Sequence, residues 1–148
     1  MTADDQSNKT DKPFRILPLV TLENEHFWRG GAEGELRFLR CDACSEYIHP
    51  PVPVCGACLG RDLSVAAVSG KAVLLTYTIN RHPWVPGFDP PYIVAIVGLV
   101  EQPGLRLTTN LVGIELDQVE IGMPLRVVFE ACDDGIYLPL FEPDPEVR

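Results

Sequence analysis

Two closely spaced cysteine pairs constrain this chain more than any other feature. The pairs read Cys41-x-x-Cys44 and Cys55-x-x-Cys58, and ten residues separate them. Four thiolates at this spacing can surround one metal ion as a tetrahedron. Residues 45–54 between the pairs include three prolines, which stiffen the loop and disfavour a helix. The spacing therefore predicts a structural zinc ion bound by all four cysteines.

Three other uses of these thiols compete with zinc binding. Disulfides are disfavoured because the chain begins without an apolar signal segment, so we expect a reducing, cytoplasmic location. A thioredoxin-like redox pair would leave the second cysteine pair unexplained. Iron stays open, since four thiolates also bind iron as in rubredoxin. The fifth cysteine, Cys132, lies far along the chain and is most simply a small buried side chain.

The bulk composition excludes several classes of protein. The 148 residues are 46% hydrophobic, which suffices for the core of one domain or two small ones. No apolar run approaches the ~20 residues that span a bilayer, so we expect no membrane segment. The formal net charge of −9 opposes binding to phosphate backbones, so we expect no nucleic-acid partner.

The N-terminal residues divide into a tail, an arm and a helix. Residues 1–12 are polar and predict a disordered tail. Residues 13–35 are predicted to form an apolar arm and then a short helix over about 22–29, which the Gly30-Gly31 pair ends. Phe27 and Trp28 crowd this helix and need a surface. Packing on the protein's own body is the simpler explanation, and contact with a partner or ligand is the alternative.

The remaining pattern predicts β-structure in two units. Residues 36–68 place a strand, a cysteine pair, a loop, a second cysteine pair and another strand in the order of a zinc ribbon. Residues 69–141 predict five strands, and Pro139 suggests an edge position for the last. Residues 142–148 are predicted to be an acidic tail. The predicted strands are Lys71–Arg81, Tyr92–Val100, Leu105–Leu111, Leu125–Ala131 and Ile136–Phe141.

The predicted fold is therefore mainly β: a short N-terminal helix, a rubredoxin-like zinc ribbon and a five-stranded OB-fold barrel. A small barrel suits five strands because closure removes exposed strand edges. An open sandwich is the alternative. The strand Tyr92–Val100 is nearly continuous in apolar residues, which predicts burial on both of its faces or nearly so.

The order of motifs resembles a known family. After the Phe27-Trp28 helix come the two cysteine pairs, then Ser69-Gly70-Lys71, Pro91-Tyr92 and Ile121-Gly122-Met123-Pro124. In this order the chain resembles the zinc-ribbon/OB-fold proteins long described as a domain of unknown function, which accompany thiolase-like enzymes and acyl-CoA hydratases. The resemblance covers about residues 14–141.

The resemblance implies an accessory role in lipid or steroid metabolism. Members of this family bind a thiolase-fold acyltransferase, synthase or aldolase in a hetero-oligomer and help to hold or channel acyl-CoA. The four cysteines transfer to the family pattern residue by residue. Phe27 and Trp28 match its aromatic helix, which implies contact with the partner or with acyl-CoA.

The sequence contains no recognisable catalytic constellation, so we expect no turnover by the chain alone. It lacks a nucleophile elbow and a phosphate-binding loop, and a four-thiolate zinc has no open position for water. His49 is expected to be solvated or beside the metal site. His82 and Trp84, in the proline-rich segment 82–91, are candidate contacts for a partner or acyl-CoA.

Two function classes follow, an accessory subunit and a nucleic-acid-binding OB-fold module, and an autonomous hydrolase or redox protein is a third possibility. The acidic residues of the barrel outnumber its basic ones, which disfavours the second class. We expect the helix and the proline-rich segment to form one surface for the partner, because a large exposed apolar patch usually marks an interface.

Overall fold

The computed structural model describes residues 14–147. The predicted disordered tail at 1–12 lies outside the described residues. The described chain is mainly β, as predicted, with one short α-helix, a three-stranded sheet and a closed five-stranded barrel. No helix in this part of the chain is long and apolar enough to cross a bilayer.

The three-stranded sheet is the zinc ribbon. Its central strand β1, Leu36–Cys41, pairs antiparallel with β2, Tyr47–Ile48, on one side and with β3, Leu63–Val68, on the other. The sequence predicted β1 and β3. It missed β2, which is only two residues long and has no alternation to read.

The barrel contains strands β4 to β8 in the order β4-β5-β6-β8-β7, and β7 closes onto β4. All neighbours are antiparallel except β6 and β8, which run parallel. The predicted OB-fold barrel is confirmed. The strands are β4 Lys71–Asn80, β5 Tyr92–Leu99, β6 Arg106–Leu111, β7 Pro124–Ala131 and β8 Tyr137–Pro143.

β5 alternates buried and half-buried residues, which agrees with the predicted burial on both faces or nearly so. The predicted end of the fifth strand is wrong. β8 continues past residue 141, and Asp144 after it is 6% exposed. The backbone N–H of Asp144 donates to Pro124 O at 3.1 Å. The acidic tail expected from residue 142 is therefore pinned to the barrel at its start.

A β-bulge reverses the alternation within β4. The register against β5 shifts between Leu74 and Thr76. Leu74 is fully buried before the bulge, whereas Leu75 is 40% exposed and packs against Gly98. After the bulge Tyr77 packs on the core. An extra residue in one strand turns the following side chains to the opposite face.

The helix α1 comprises Glu25–Arg29 and continues as a 3-10 helix over Gly30–Glu33. The α-helix ends at Arg29, as predicted, although a 3-10 turn rather than a stop follows at Gly30. The predicted start at about residue 22 is wrong, because residues 22–24 form a turn. A Cβ on Gly31 would lie 2.4 Å from Tyr137 Cβ and 2.6 Å from Phe129 Cδ1. Glycine is therefore needed there for close packing of the helical segment on β7 and β8.

One apolar core extends through the barrel and reaches into the ribbon. Phe141, Leu74, Val97 and Leu125 are fully buried in the barrel. Phe38 of the ribbon and Phe27 of α1 belong to the same cluster. The ribbon and α1 are thus packed on the barrel by shared apolar side chains.

Candidate metal centre and adjoining groove

The four predicted ligands converge at the outer end of the ribbon. The Sγ atoms of Cys41, Cys44, Cys55 and Cys58 all lie within 4.8 Å of one another. The Cys41–Cys58 and Cys44–Cys55 pairs of Sγ atoms are each separated by 3.6 Å. A tetrahedron with Zn–S bonds of about 2.3 Å has sulfur–sulfur edges of about 3.8 Å. The arrangement therefore fits a four-thiolate zinc site.

Two similar turns present the cysteines. In the first, Ser45 N–H donates to Cys41 O at 2.9 Å, and in the second, Leu59 N–H donates to Cys55 O at 3.0 Å. Ser45 and Leu59 both have left-handed backbone conformations, with φ of 66° and 64°. Residues other than glycine rarely adopt this conformation, because it has a higher conformational energy. Each turn therefore contains one strained residue next to its thiolates.

Gly60 and the backbone N–H groups of the second turn also serve the metal site. A Cβ on Gly60 would lie 3.2 Å from Cys58 Sγ and 3.5 Å from Cys41 Sγ, so a side chain there would crowd the thiolates. Hydrogen bonds from the backbone N–H groups of Cys58 and Ala57 lower the pKa of Cys55 to about 7, whereas burial and the neighbouring thiols raise the pKa of Cys44. The two N–H groups thus favour the thiolate form of Cys55 in particular. Nothing in the sequence indicated a role for Gly60, whose closeness to Cys41 appears only in the fold.

A groove of about 790 Å³ lies beside the ribbon. Its walls are Thr21, Glu23, Asn24, Phe27 and Trp28, the ribbon loop His49–Pro51, Arg106–Asn110 of β6 and Leu138–Leu140 of β8. The helix, the ribbon and the barrel thus all contribute to one concave surface. Clefts between structural units are common ligand sites in proteins.

His49 is an aromatic packing residue, and the expectation that it is solvated or beside the metal is wrong. Its ring lies 4.8 Å from the Phe27 ring and 4.9 Å from the Phe38 ring. Desolvation by burial, with a smaller effect of the charge of His26, lowers the pKa of His49 to about 4. His49 is therefore neutral at physiological pH.

Gln102 fixes the ribbon on the barrel. It lies in the turn between β5 and β6, and its Oε1 accepts a hydrogen bond from Tyr47 N–H at 2.8 Å. Its Nε2 donates to Tyr47 O at 3.1 Å and to Glu46 Oε1 at 2.9 Å. The side-chain amide thus pairs with strand β2 as a neighbouring strand would. Nothing in the sequence indicated this contact, which joins residues 55 positions apart.

The predicted apolar arm packs on the proline-rich segment. The Arg15 guanidinium lies 4.7 Å from the centre of the Phe88 ring, and Arg15 Nε donates to Glu130 Oε1 at 2.7 Å. Together the arm and segment enclose a hollow of about 280 Å³. Asn110 and Leu138 line both this hollow and the groove, so the two concavities adjoin.

The four predicted contact residues occupy different environments. Phe27 is 3% exposed and belongs to the core. Trp28 is half-buried, packs edge-on against Phe27 at 4.7 Å and lines the groove. His82 and Trp84 contact each other at 4.4 Å, and Trp84 is 71% exposed. His82 and Trp84 line neither concavity, so the structure does not bring them together with Phe27 and Trp28.

Two families match most of the chain. Residues 28–64 match the family described as "ChsH2, rubredoxin-like zinc ribbon domain". Residues 65–130 match the family described as "ChsH2, C-terminal OB-fold domain". The boundary between the two matches falls within β3, at the end of the ribbon.

Several curated proteins are similar in sequence. A "Probable enoyl-CoA hydratase alpha subunit" of Thermomonospora curvata is 36% identical over 94% of this chain and 43% of its own length. The "3-oxo-4,17-pregnadiene-20-carboxyl-CoA hydratase alpha subunit" of Mycobacterium tuberculosis is 31% identical over 90% of this chain and 42% of its own length. The chain thus spans less than half of these two relatives. A "DUF35 domain-containing scaffold protein" of Methanocaldococcus jannaschii is 31% identical over 66% of this chain and 72% of its own length.

Two solved structures have a similar fold. A chain of the "Ltp2-ChsH2(DUF35) aldolase" is 37% identical, with a TM-score of 0.77 over 86% of this chain and 98% of that chain. A DUF35 protein of unknown function from Sulfolobus solfataricus is 16% identical, with a TM-score of 0.57 over 83% of this chain and 86% of that chain. The second likeness concerns the fold alone.

Proposed function

Since the chain belongs to the ChsH2/DUF35 family of zinc-ribbon/OB-fold proteins, we propose that it is an accessory subunit of a thiolase-fold enzyme that acts on an acyl-CoA thioester. The observation that carries the proposal is the likeness to the chain of the Ltp2-ChsH2(DUF35) aldolase, of which this chain covers 98% at 37% identity. The named hydratase alpha subunits add that relatives serve enzymes of CoA thioesters.

The arm before α1 supplies a surface that suits such a partner. Phe14, Ile16, Leu19 and Leu22 are 47%, 74%, 83% and 89% exposed. Four large apolar side chains exposed within nine residues form a patch of the kind that partners cover. A Cβ on Gly87 would lie 3.2 Å from Phe14 Cβ, so the arm lies against the proline-rich segment. The arm therefore connects this segment to the helix, as one partner surface requires.

The site favours a binding and scaffolding role over catalysis by the chain itself. The metal shell is completed by four thiolates, which leaves zinc no position for water. The groove is lined by apolar and neutral polar side chains together with Glu23, His49 and Arg106. We propose that this groove faces the acyl-CoA path of the complex. The isolated chain should turn over no acyl-CoA, and robust turnover lost on a single substitution would contradict this.

The partner surface can be tested by charge substitution. Leu22→Asp should weaken binding to the thiolase-type partner at least about 10-fold, because a charge would be buried in an apolar interface. Ile121→Asp is the matched control. Ile121 is also exposed, at 67%, but it adjoins Gly122, which bonds to Leu74 of β4 on another side of the barrel. Binding is measured by biolayer interferometry. If both variants bind the partner as tightly as the wild type, the interface lies elsewhere.

Trp28 gives a second test of the same surface. Trp28→Ala should weaken complex formation by about 2 kcal/mol or more, as for an interface aromatic. The melting temperature of each variant is measured in parallel, because Trp28 also packs on Phe27. Loss of stability with full partner affinity would assign Trp28 to the core alone.

Nucleic-acid binding is not expected of this barrel. The net charge is −9, and among residues 14–147 Arg106 is the one Lys or Arg side chain that lines the groove. Binding of single strands by OB-folds relies on a positively charged channel with stacked aromatics. A gel-shift assay at low salt should therefore show no complex with single-stranded DNA or RNA, and tight binding would favour the alternative function.

A further inference from the structure

The ribbon sheet ends in a strand edge that nothing in the described chain covers. The strand order is β2-β1-β3, so β3 lies at one side of the sheet. Asp42 N–H donates to Asp62 O at 2.9 Å, which continues the register of β1 with β3. Alternate residues of an antiparallel strand point to opposite sides, so the even-numbered residues of β3 bond to β1. The outward residues are Leu63, Val65 and Ala67, whose N–H and C=O groups have no hydrogen-bond partner within residues 14–147.

Two other strand edges of the molecule are protected by side chains. On the β2 side of the ribbon, the Gln102 amide bonds to Tyr47 N–H and Tyr47 O at 2.8 and 3.1 Å. In the barrel, β6 and β8 share one bridge within residues 14–147, and nearby Pro139 has no N–H and accepts a hydrogen bond from Thr109 Oγ1 at 2.8 Å. Proteins commonly protect free edges with charges, prolines or bulges. The strand Leu63–Val68 contains none of these, so its edge is open to another strand.

The free edge of β3 is complementary to itself. Its outward residues are centred on Val65, so an antiparallel second copy can place its own Val65 opposite this residue and its Ala67 opposite Leu63. Residues paired in this way exchange two backbone hydrogen bonds. The strand contains no charged residue, so the pairing brings no like charges together within it. Two three-stranded ribbons would thereby form one continuous sheet.

The charges that flank β3 favour the same register. Extension of the register by one outward pair places Arg61 of one copy opposite Ser69 of the other. Ser69 N–H donates to Glu101 Oε1 at 2.6 Å, so a carboxylate lies at the end of the free edge. Arg61 is exposed and forms no ion pair within residues 14–147. The pairing would bring Arg61 of each copy towards Glu101 of the other, which places opposite charges together at both ends.

One face of β3 also has apolar surface to bury. Leu63 and Val65 line, together with Leu39, a hollow of about 300 Å³. Side chains alternate along a strand, and Val68 on the opposite face packs on the barrel core. Val65 is 51% exposed, and in the paired ribbons it would contact Val65 of the second copy. A contact along one short strand buries less than about 1,200 Å², which is typical of weak association.

We propose that a second copy of this chain pairs with β3, so that two ribbons form one sheet across a twofold axis at Val65. A second copy is the occupant that the edge fits, because register, flanking charge and apolar face are all complementary to themselves. The inference goes beyond the proposed function. It concerns the ribbon and its junction with the barrel, and it requires neither the enzyme partner nor an acyl-CoA.

Hydrogen exchange of the zinc-loaded chain at two concentrations tests the location. The backbone N–H groups of Leu63, Val65 and Ala67 should exchange more slowly at about 1 mM protein than at about 10 μM, because pairing protects them. Those of Ser64 and Ala66 bond to β1 within each copy and should exchange equally at both concentrations. Exchange of the three outward N–H groups that does not depend on concentration would overturn the proposal.

Substitution of Val65 tests the twofold axis. Val65→Lys and Val65→Glu each place two like charges opposite each other, so the dimer dissociation constant should rise at least about 10-fold. An equimolar mixture of the two variants should regain the wild-type affinity, because lysine then faces glutamate. Val65→Thr is the neutral control and should dimerise as the wild type does.

Sedimentation equilibrium measures these affinities, and the melting temperature of each variant confirms folding. The proposal is overturned if the wild type stays monomeric at about 1 mM. It is also overturned if the charged variants dimerise as tightly as the wild type, or if their mixture associates no better than either variant alone.

Arg61→Glu tests the flanking charges. It should weaken the dimer about 5-fold at low salt, and added salt should reduce the difference from the wild type. Arg81→Glu is the matched control. It changes the net charge equally at an exposed residue, but Arg81 lies beyond the end of β4 that is remote from the ribbon. Equal weakening by both substitutions would reflect general repulsion between acidic chains and would contradict the assigned register.

Discussion

The ribbon and the barrel are stabilised by different means. Within the described residues, the separate core of the ribbon contains only Cys41, Ile48 and Cys55 as buried residues, and two of these belong to the four-cysteine cluster. The barrel core includes many apolar side chains with almost no exposure, among them Phe141 and Leu125. A unit with so little apolar burial depends on its metal, whereas the barrel is stable through packing.

The part of the chain that depends on metal does not coincide with the whole ribbon. Leu36 and Phe38 of ribbon strand β1 are buried in the barrel cluster, together with Phe27 of α1. Cys41, at the other end of the same strand, belongs to the metal-centred cluster. One half of the ribbon is therefore part of the barrel core, and only the outer half depends on zinc.

Metal removal should have the largest effect. Chelation should abolish amide protection in the outer ribbon, residues 41–60, because structural zinc contributes on the order of 10 kcal/mol to folding. The barrel strands should keep their protection in hydrogen–deuterium exchange. Elemental analysis should find one zinc per chain, and iron, or a fully folded sample without metal, would contradict the assignment.

A single ligand substitution sharpens the same comparison. The Cys44→Ser variant should lose its zinc, and the protein should become less soluble. Cys132→Ser, a cysteine outside the metal cluster, is the control and should retain one zinc per chain. Equal zinc content in both variants would show that Cys44 is not a ligand.

Truncation of the barrel core should have the next largest effect. Phe141→Ala should lower the free energy of unfolding by about 3–5 kcal/mol, since it leaves a cavity in a fully packed core. Zinc binding should remain, because Phe141 lies outside the metal cluster. Chemical denaturation and zinc analysis of the folded fraction measure the two effects. Parallel loss of zinc in that fraction would show that the outer ribbon also depends on barrel packing.

Acid should lower the free energy of unfolding through protonation of His49. The pKa of His49 is about 4 in the folded protein against 6.5 for the free side chain, mainly because burial disfavours its charged form. Between these values the unfolded chain binds more protons, so stability is fully present above about pH 6.5 and falls as the pH falls towards 4. After allowance for partial exposure the loss is about 1–2 kcal/mol.

His49→Phe is the control for this pH dependence. Phenylalanine keeps an aromatic ring between Phe27 and Phe38 but does not titrate. With zinc in excess, the slope of unfolding free energy between pH 5 and 6.5 should be smaller in the variant. Identical slopes would assign the acid sensitivity to other groups, including His26, whose pKa is also lowered by burial.

Gln102→Ala should have the smallest effect. It removes the hydrogen bonds to Tyr47 and Glu46, so the free energy of unfolding should fall by about 1 kcal/mol. Exchange at β2 should increase while exchange in the barrel strands stays unchanged. An unaltered β2 would show that shared apolar packing alone holds the ribbon in place.

The candidate site was predictable where its chemistry is local. Thiol type and spacing identified Cys41, Cys44, Cys55 and Cys58, because ligands in short turns need few other constraints. The groove was not predictable, since residues 21–28, 49–51, 106–110 and 138–140 meet only in the fold. The environment of His49 was not predictable for the same reason. The His49 ring contacts the rings of Phe27 and Phe38, and nothing in the sequence around His49 indicated these contacts.

The sequence by itself determined the metal ligands, the ribbon strands β1 and β3 and the five barrel strands. These depend on residue type, spacing and alternation over a few neighbouring positions. Only the tertiary structure decided why Gly31, Gly60, Gln102 and Pro139 stand where they do. A glycine permits close approach only against a particular neighbour, and a proline interrupts a ladder only in a particular register. The roles of these residues depend on partners that are distant in the chain, such as Tyr137 for Gly31 and Thr109 for Pro139.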